Sequence, residues 1–204
     1  AQNKVADSAK IDVPDNLEML QTANQLAKYG YKNGNPLSLI QAAELYATVN
    51  PGVLDASKSA EGTSEESTKQ ETISFDVDKL LADATILAEG DANLLAIIDN
   101  IKNSATRGAT SRNGKHIVEK VNAKTTDVYH IRFRGHEDAI VVVSGDGDTD
   151  LDLYIYDEND NLIDSDTDLG DACVCTFRPA WTGTFTIKVK NLGNVYNRYE
   201  LATN

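Results

Sequence analysis

The residues with the clearest capacity for chemistry are the carboxylates concentrated between residues 146 and 171. This segment holds eleven Asp and Glu side chains and no Lys or Arg. Like charges at this density repel one another unless water, distant bases or a bound cation neutralises them. Calcium prefers about 6–8 oxygen ligands, mostly carboxylates and carbonyls in flexible loops. The segment is therefore either a calcium site or a solvated acidic loop cluster.

The start of this segment, Asp146-Gly147-Asp148-Thr149-Asp150, begins like an EF-hand loop. Leu151 stands where that loop needs its glycine, and a strand rather than a helix follows, so we reject an EF-hand. A loop site remains, built from carboxylates before one strand and in the turn after the next. The predicted calcium ligands are Asp146 and Asp148 together with Asp164, Asp166 or Asp168.

Two tyrosines form a second candidate site. Alternation along residues 150–156 places Asp150, Asp152, Tyr154 and Tyr156 on one face of a strand. Tyrosine rings flanked by carboxylates can stack on sugars or hold an extended peptide. Tyrosine is also a common surface residue of ordinary β-strands. These four residues are predicted to bind a ligand, with a plain strand surface as the alternative.

Motifs for catalysis are missing from the sequence. It contains no Gly-x-Ser-x-Gly elbow, no His-Glu-x-x-His and no phosphate-binding loop. We interpret His130 and His136 as surface residues of a strand and its following turn rather than metal ligands. We predict no enzymatic activity, although a site assembled in space would escape this search.

Cys173 and Cys175 are the only cysteines, so the chain has neither a disulfide framework nor a four-ligand zinc site. They flank Val174 in a predicted strand and share one face with Phe177. We interpret them as two small core residues, with a redox pair or short-range disulfide as the alternative.

The elements that must position these residues differ between the two halves of the chain. Residues 15–49 and 76–103 have helical periodicity, and Leu37, Ile40, Ala43 and Ala47 form one predicted buried stripe. Residues 116–203 alternate with a period of two, which predicts seven or eight antiparallel strands in a β-sandwich. The fold class is therefore α+β.

The predicted domains are residues 1–105, two αα-hairpins in a four-helix unit, and residues 115–204, a jelly-roll-like sandwich. A flexible insert near 51–74 separates the hairpins, because Asp55–Thr72 has no large apolar residue to bury. A second boundary falls near Ser104–Gly114, where glycines interrupt the pattern.

Charge and hydropathy exclude several functions. The net charge is −13 and the pI about 4.5, which opposes binding to nucleic acid or to an anionic membrane surface. The longest apolar runs, Leu94–Ile98 and Ala139–Val143, are far below the roughly 20 residues of a membrane span. We expect no membrane insertion.

Two segments of the predicted sandwich resemble the bacterial pre-peptidase C-terminal domain family. One is Asp150–Asp157 with Leu162-Ile163 after a turn, and the other runs from Pro179 through Thr182–Val189 to Tyr199-Glu200-Leu201. The resemblance covers roughly residues 115–204, and residues 1–105 resemble no family. It implies a small accessory sandwich of a secreted or periplasmic protein. In some relatives this domain holds an extracellular polymer and binds calcium.

The functional expectation is a non-catalytic secreted or periplasmic protein whose sandwich serves binding or adhesion, with a polymer or protein as partner. The opening Ala1-Gln2-Asn3-Lys4 has no apolar signal segment, so we take the signal peptide to have been removed. The alternative is an accessory or maturation partner of a secreted hydrolase, docked through the helical domain. Structural packing without a ligand is a third possibility.

Overall fold

The computed structural model describes residues 1–6, 10–64, 69, 73–105 and 114–204. These residues form four helices and ten strands, which confirms the α+β class. They divide into two compact units. One unit takes its described residues from 15–52 and 70–115, and the other from 1–14, 53–69 and 116–204.

The helical unit contains two helical hairpins, as the sequence predicts. Its helices are α1 (Asp15–Asn33), α2 (Pro36–Val49), α3 (Val77–Leu87) and α4 (Ala92–Ala105). Helix α2 packs against the other three. Between the hairpins, the Tyr31 hydroxyl of α1 donates a hydrogen bond of 2.8 Å to the Asp83 carboxylate of α3. The predicted domain boundary near Ser104–Gly114 falls largely outside the described residues.

Helix α2 begins with an N-cap. The Asn35 side chain accepts a hydrogen bond of 3.0 Å from the Ser38 backbone N–H, and Pro36 occupies the first turn. This satisfies one of the four N–H groups that a helix start leaves without a partner. The predicted buried stripe of α2 is confirmed at Ile40 and Ala43 and is wrong at Leu37, which is 45 % exposed. The helix also buries Leu39, Ala42 and Tyr46, which the stripe did not include.

The sandwich unit contains two five-stranded sheets. The strands are β1 (Gly52–Val53), β2 (Lys58–Glu61), β3 (Lys115–Val121), β4 (Thr126–Phe133), β5 (Ala139–Ser144), β6 (Leu151–Tyr156), β7 (Leu162–Asp166), β8 (Ala172–Phe177), β9 (Gly183–Asn191) and β10 (Asn197–Thr203). Sheet 1 has the order β1-β3-β10-β5-β8, and sheet 2 has the order β2-β4-β9-β6-β7. Residues 115–203 thus supply eight strands, within the predicted number.

One apolar core joins the inner faces of the two sheets. Inward-facing residues of the strands from β3 to β10 enter it, including Val141 and Val143 of sheet 1 and Leu153 and Ile155 of sheet 2. At the end of this core where β4 and β8 finish, Phe133, Phe177 and Phe185 form a ring cluster with centroid separations of 4.8–5.8 Å. This packing makes the two sheets a β-sandwich.

The predicted insert between the hairpins is corrected at residues 58–61. These residues form β2, which pairs with β4 from Lys58↔Tyr129 to Glu61↔Thr126. All four are exposed, so hydropathy gave no sign of a strand. Main-chain pairing and the Lys58 ion pairs with Glu119 (2.9 Å) and Asp127 (3.3 Å) hold the segment instead. Residues 65–68 and 70–72 lie outside the described residues.

The first residues also join the sandwich unit rather than the helical unit predicted for residues 1–105. Asn3 is fully buried. Its backbone N–H donates to the Asp157 carboxylate (2.8 Å), and its side-chain oxygen accepts from the Trp181 backbone N–H (3.0 Å). Within the described part of the chain, no helix has the length and hydropathy needed to cross a membrane.

The α2 cap gives a stability prediction. Asn35→Ala should lower the free energy of unfolding by about 1 kcal/mol, because the Ser38 N–H loses its acceptor. Urea denaturation followed by far-UV circular dichroism measures the loss. Asn35→Ser keeps a capping oxygen and should retain most of the stability. Equal losses in both variants would contradict a capping role.

Candidate functional site

The predicted calcium ligands separate into two groups in the structure. Asp146 and Asp148 lie in the loop between β5 and β6, where the Lys69 ammonium approaches their carboxylates at 2.5 and 2.6 Å. The Lys69 side chain is only 13 % exposed, and its nitrogen lies 4.3 Å from the centroid of the Tyr196 ring. A cation of the protein itself therefore occupies the space between these two carboxylates.

Backbone groups complete the surroundings of Asp146. Its carboxylate accepts hydrogen bonds from the backbone N–H groups of Arg198 (2.8 Å) and Asp148 (3.2 Å). Next to it, a Cβ placed on Gly145 would collide with the Asp171 carboxylate and the Asn197 amide. Burial raises the pKa of the Asp146 carboxyl, and the bonds from Lys69 and Arg198 act against this rise.

The second group seals an open side of the sandwich. Asp166 and Asp164 of β7 accept hydrogen bonds of 2.8 Å from the backbone N–H groups of Val174 and Thr176. These N–H groups belong to β8, the edge strand of sheet 1, and β7 is the edge strand of sheet 2. The two carboxylates thus satisfy donors that an edge strand leaves unpaired. Asp168 is exposed, and its N–H donates to Asp166.

This arrangement does not fit the predicted calcium site. Calcium needs several oxygens that converge on one point, whereas the carboxylates of Asp146 and Asp148 already accept from an ammonium and those of Asp164 and Asp166 from backbone N–H groups. Among the described residues, no cluster of three or more His, Cys, Asp or Glu side chains could hold a metal ion.

The geometry predicts that the fold needs no calcium. The thermal unfolding midpoint should be the same in excess calcium and in excess EGTA, because the Lys69 ammonium already occupies the position between Asp146 and Asp148 that a cation would take. Differential scanning calorimetry at fixed ionic strength measures both midpoints, with magnesium as a control for nonspecific salt effects. A higher midpoint in calcium alone would contradict this expectation.

A second prediction concerns Lys69 itself. Lys69→Met should destabilise the sandwich by roughly 3 kcal/mol at neutral pH, because it leaves the buried Asp146 carboxylate without its cation. The folded-state pKa of Asp146 already lies above its unfolded value, and losing Lys69 raises it further. The folded protein then binds more protons than the unfolded chain, so its stability falls as pH rises through that pKa.

The deficit of Lys69→Met should therefore be largest at neutral pH and shrink as the pH falls and Asp146 becomes protonated. Urea denaturation at several pH values measures it. Lys10→Met removes the same charge from an exposed position and should show almost no deficit. A deficit that does not change with pH would show that lost packing, rather than charge pairing, is responsible.

The predicted ligand-binding residues lie mainly on the outer face of sheet 2, the face directed away from the sandwich core. Tyr154 and Tyr156 of β6 are partly exposed there, whereas Asp152 is only 5 % exposed. The Tyr154 hydroxyl donates a hydrogen bond of 2.9 Å to Asp152. Burial and this bond raise the pKa of Tyr154 to about 12. Asp150 instead accepts from the Gly170 N–H at 2.7 Å.

Basic residues of the neighbouring strands complete this outer face. The register places Lys188 of β9 opposite Tyr154 and Lys190 opposite Asp152. On the far side of β9, Arg132 of β4 pairs with Thr184. The Lys188 ammonium lies 2.9 Å from the Glu61 carboxylate and 5.7 Å from the centroid of the Tyr156 ring. The alternation along β9 places Lys188 and Lys190 on the outer face, but only the pairing of β4 with β9 brings Arg132 onto the same face.

Trp181 lies at the end of this face where β6 ends and β9 begins. Its side chain is 40 % exposed, and its indole N–H donates to the Glu158 carboxylate at 2.5 Å. Glu158 also accepts from the Asn3 side chain at 3.2 Å. A fixed, half-exposed indole ring therefore borders the turn that follows Tyr156.

The cysteines are core residues, as expected. Cys173 and Cys175 are at most 1 % exposed and carry free thiols. Burial raises the pKa of Cys173 to about 12, and the pKa of Cys175 is also raised. Thiols that stay protonated are poor nucleophiles and poor metal ligands. His130 lies exposed on the outer face and His136 in an exposed turn, in agreement with the predicted surface positions.

Comparisons with known proteins return structural similarities only. No family model matches the chain, and no curated protein matches it significantly. One solved structure with similarity is the pre-peptidase C-terminal domain of collagenase from Bacillus anthracis, at 16 % identity and a TM-score of 0.36. The match covers 45 % of this chain and 89 % of that domain. It belongs to the family that residues 115–204 resemble.

Two other structures are similar over a smaller share of their own length. The CBM22-1 and GH10 modules of xylanase 10B from Clostridium thermocellum match at 12 % identity and a TM-score of 0.28, over 47 % of this chain and 22 % of that one. The capsular polysaccharide assembling protein CapF of Staphylococcus aureus matches at 9 % identity and a TM-score of 0.26. That match covers 63 % of this chain and 42 % of CapF. TM-scores this low carry no argument about function.

Proposed function

We propose that this chain is a non-catalytic binding protein whose sandwich holds an extended polymer on the outer face of sheet 2. The observation that carries the proposal is the pair Tyr154 and Tyr156, two residues apart on β6 with both rings partly exposed. Aromatic rings at successive outward positions offer a flat apolar surface on which a polymer can lie.

The tyrosines are held in place from two sides, which reduces the entropy that binding costs. Asp152 accepts the hydrogen bond of the Tyr154 hydroxyl, and the Lys188 ammonium lies over the Tyr156 ring. Polar groups next to the rings, including the Thr186 hydroxyl and His130, supply hydrogen-bonding partners. We propose a secreted or periplasmic location, on the basis of the sequence resemblance.

Affinity electrophoresis tests this function. Native gels would contain carboxymethylcellulose, hydroxyethylcellulose or gelatin, and migration would be compared with a gel without polymer. At least one polymer should retard the wild-type protein. Tyr154→Ala and Tyr156→Ala should each weaken that binding about fivefold, in line with roughly 1 kcal/mol for a stacked ring.

Tyr29→Ala is the matched control, because Tyr29 is 55 % exposed on helix α1 and remote in sequence from the sheet. It should bind like the wild type. Unchanged thermal midpoints would separate lost contacts from lost folding. Failure of all three polymers to retard the wild type, or retardation that survives the double tyrosine variant, would overturn the proposal.

A further inference from the structure

The outer face of sheet 2 is basic although the chain is strongly acidic. The whole chain has a net charge of −13, yet Arg132, Lys188 and Lys190 all project from the two central strands of this face. Arg132 and Lys190 are exposed, and within the described part of the chain no ion pair involves either one. Two of the three cations on this face therefore lack an acidic partner among the described residues.

The acidic residues of this face are already engaged. Glu61 pairs with Lys188. Asp152 lies opposite Lys190 in the register. It is only 5 % exposed, and its carboxylate accepts the hydrogen bond of the Tyr154 hydroxyl. Arg132 and Lys190 are therefore the cations that a ligand can reach without displacing a carboxylate, whereas Lys188 is 28 % exposed and shares the more exposed Glu61.

The spacing of the cations follows the strands. Lys188 and Lys190 are two residues apart on β9, which places their Cα atoms about 7 Å from each other. Arg132 lies beside Thr184, four residues further along β9 from Lys188 and thus about 13 Å away. Lys188 and Lys190 thus lie along β9 with Arg132 beside that strand on β4, and the two tyrosines lie along β6 on the other side of β9.

We propose that the polymer bound on this face is an anionic polysaccharide, whose sugar rings stack on Tyr154 and Tyr156 while its acidic groups pair with Lys188, Lys190 and Arg132. This inference rests on the proposed function and names its ligand class. Rings and charges on neighbouring strands match a chain of saccharide rings that carries regularly spaced carboxylate or sulfate groups.

An acidic peptide fits this face less well. Peptides gain affinity at a sheet mainly by pairing with an exposed strand edge. Here the cations lie on β4 and β9, whose backbones pair with strands on both sides. The edge at β7 is closed by Asp164 and Asp166, which accept from the β8 backbone, and the edge at β2 is separated from Lys188 and Lys190 by β4.

The test compares two polymers with the same backbone and different charge. Carboxymethylcellulose should retard the protein strongly and hydroxyethylcellulose at least tenfold more weakly. The retardation by carboxymethylcellulose should decrease as sodium chloride is added, because salt screens exposed ion pairs. The double variant Lys188→Gln/Lys190→Gln should bind carboxymethylcellulose about tenfold more weakly.

The double variant Lys10→Gln/Lys32→Gln removes the same charge from exposed positions elsewhere and should bind like the wild type. Equal retardation by the two celluloses that still depends on the tyrosines would overturn the anionic ligand and leave the proposed function intact. Equally strong competition by poly-L-glutamate would also overturn the inference, because it would show that charge alone suffices. If the wild-type protein bound none of the polymers, the proposed function itself would be wrong.

Discussion

The register of β9 between β4 and β6 is the constraint on which the outer face of sheet 2 depends. Phe185, Ile187 and Val189 enter the core from β9 and are fully buried, so a slip of one residue would turn all three towards solvent. The same register places Lys188 beside Tyr154 and Lys190 beside Asp152. The packing of the core therefore also determines which charged groups and rings become neighbours on the opposite face of the sheet.

Carboxylates in this protein serve mainly as acceptors for backbone N–H groups and for fixed cations. Asp164 and Asp166 close the gap between two edge strands, Asp157 accepts from the N–H groups of Asn3, Asn159 and Asn161, and Asp146 accepts from Arg198 and Lys69. Hydrogen bonds to an ionised acceptor are stronger than neutral ones, so these contacts stabilise loops and edges that have little apolar surface. The same engagement leaves the negative charge divided among local partners rather than gathered around one ion.

Segments from outside residues 115–204 complete the sandwich. Residues 58–61 add a strand to sheet 2, Lys69 pairs with Asp146 in the loop after β5, and Asn3 is buried between the turn after β6 and the loop before β9. The chain thus passes from the sandwich unit into the helical unit and back more than once. An isolated fragment of residues 115–204 would lack all three contributions, which ties the stability of the sandwich to the remainder of the chain.

The sequence by itself determined the α+β class, the helical regions at residues 15–49 and 76–103, seven or eight strands from residue 116 onwards and the burial of Cys173 and Cys175. Each depends on local periodicity, which a sequence displays directly. Only the tertiary structure decided that Leu39 and Tyr46 are buried on α2 and that Leu37 is not. Helix α2 packs against three other helices, so its buried surface is wider than the single stripe that periodicity predicts. The tertiary structure also decided which cation pairs with the acidic segment, since Lys69 lies 77 residues from Asp146 along the chain. Pairing at that distance leaves no pattern in the sequence, and the same holds for the strand at residues 58–61, whose side chains are all polar or small.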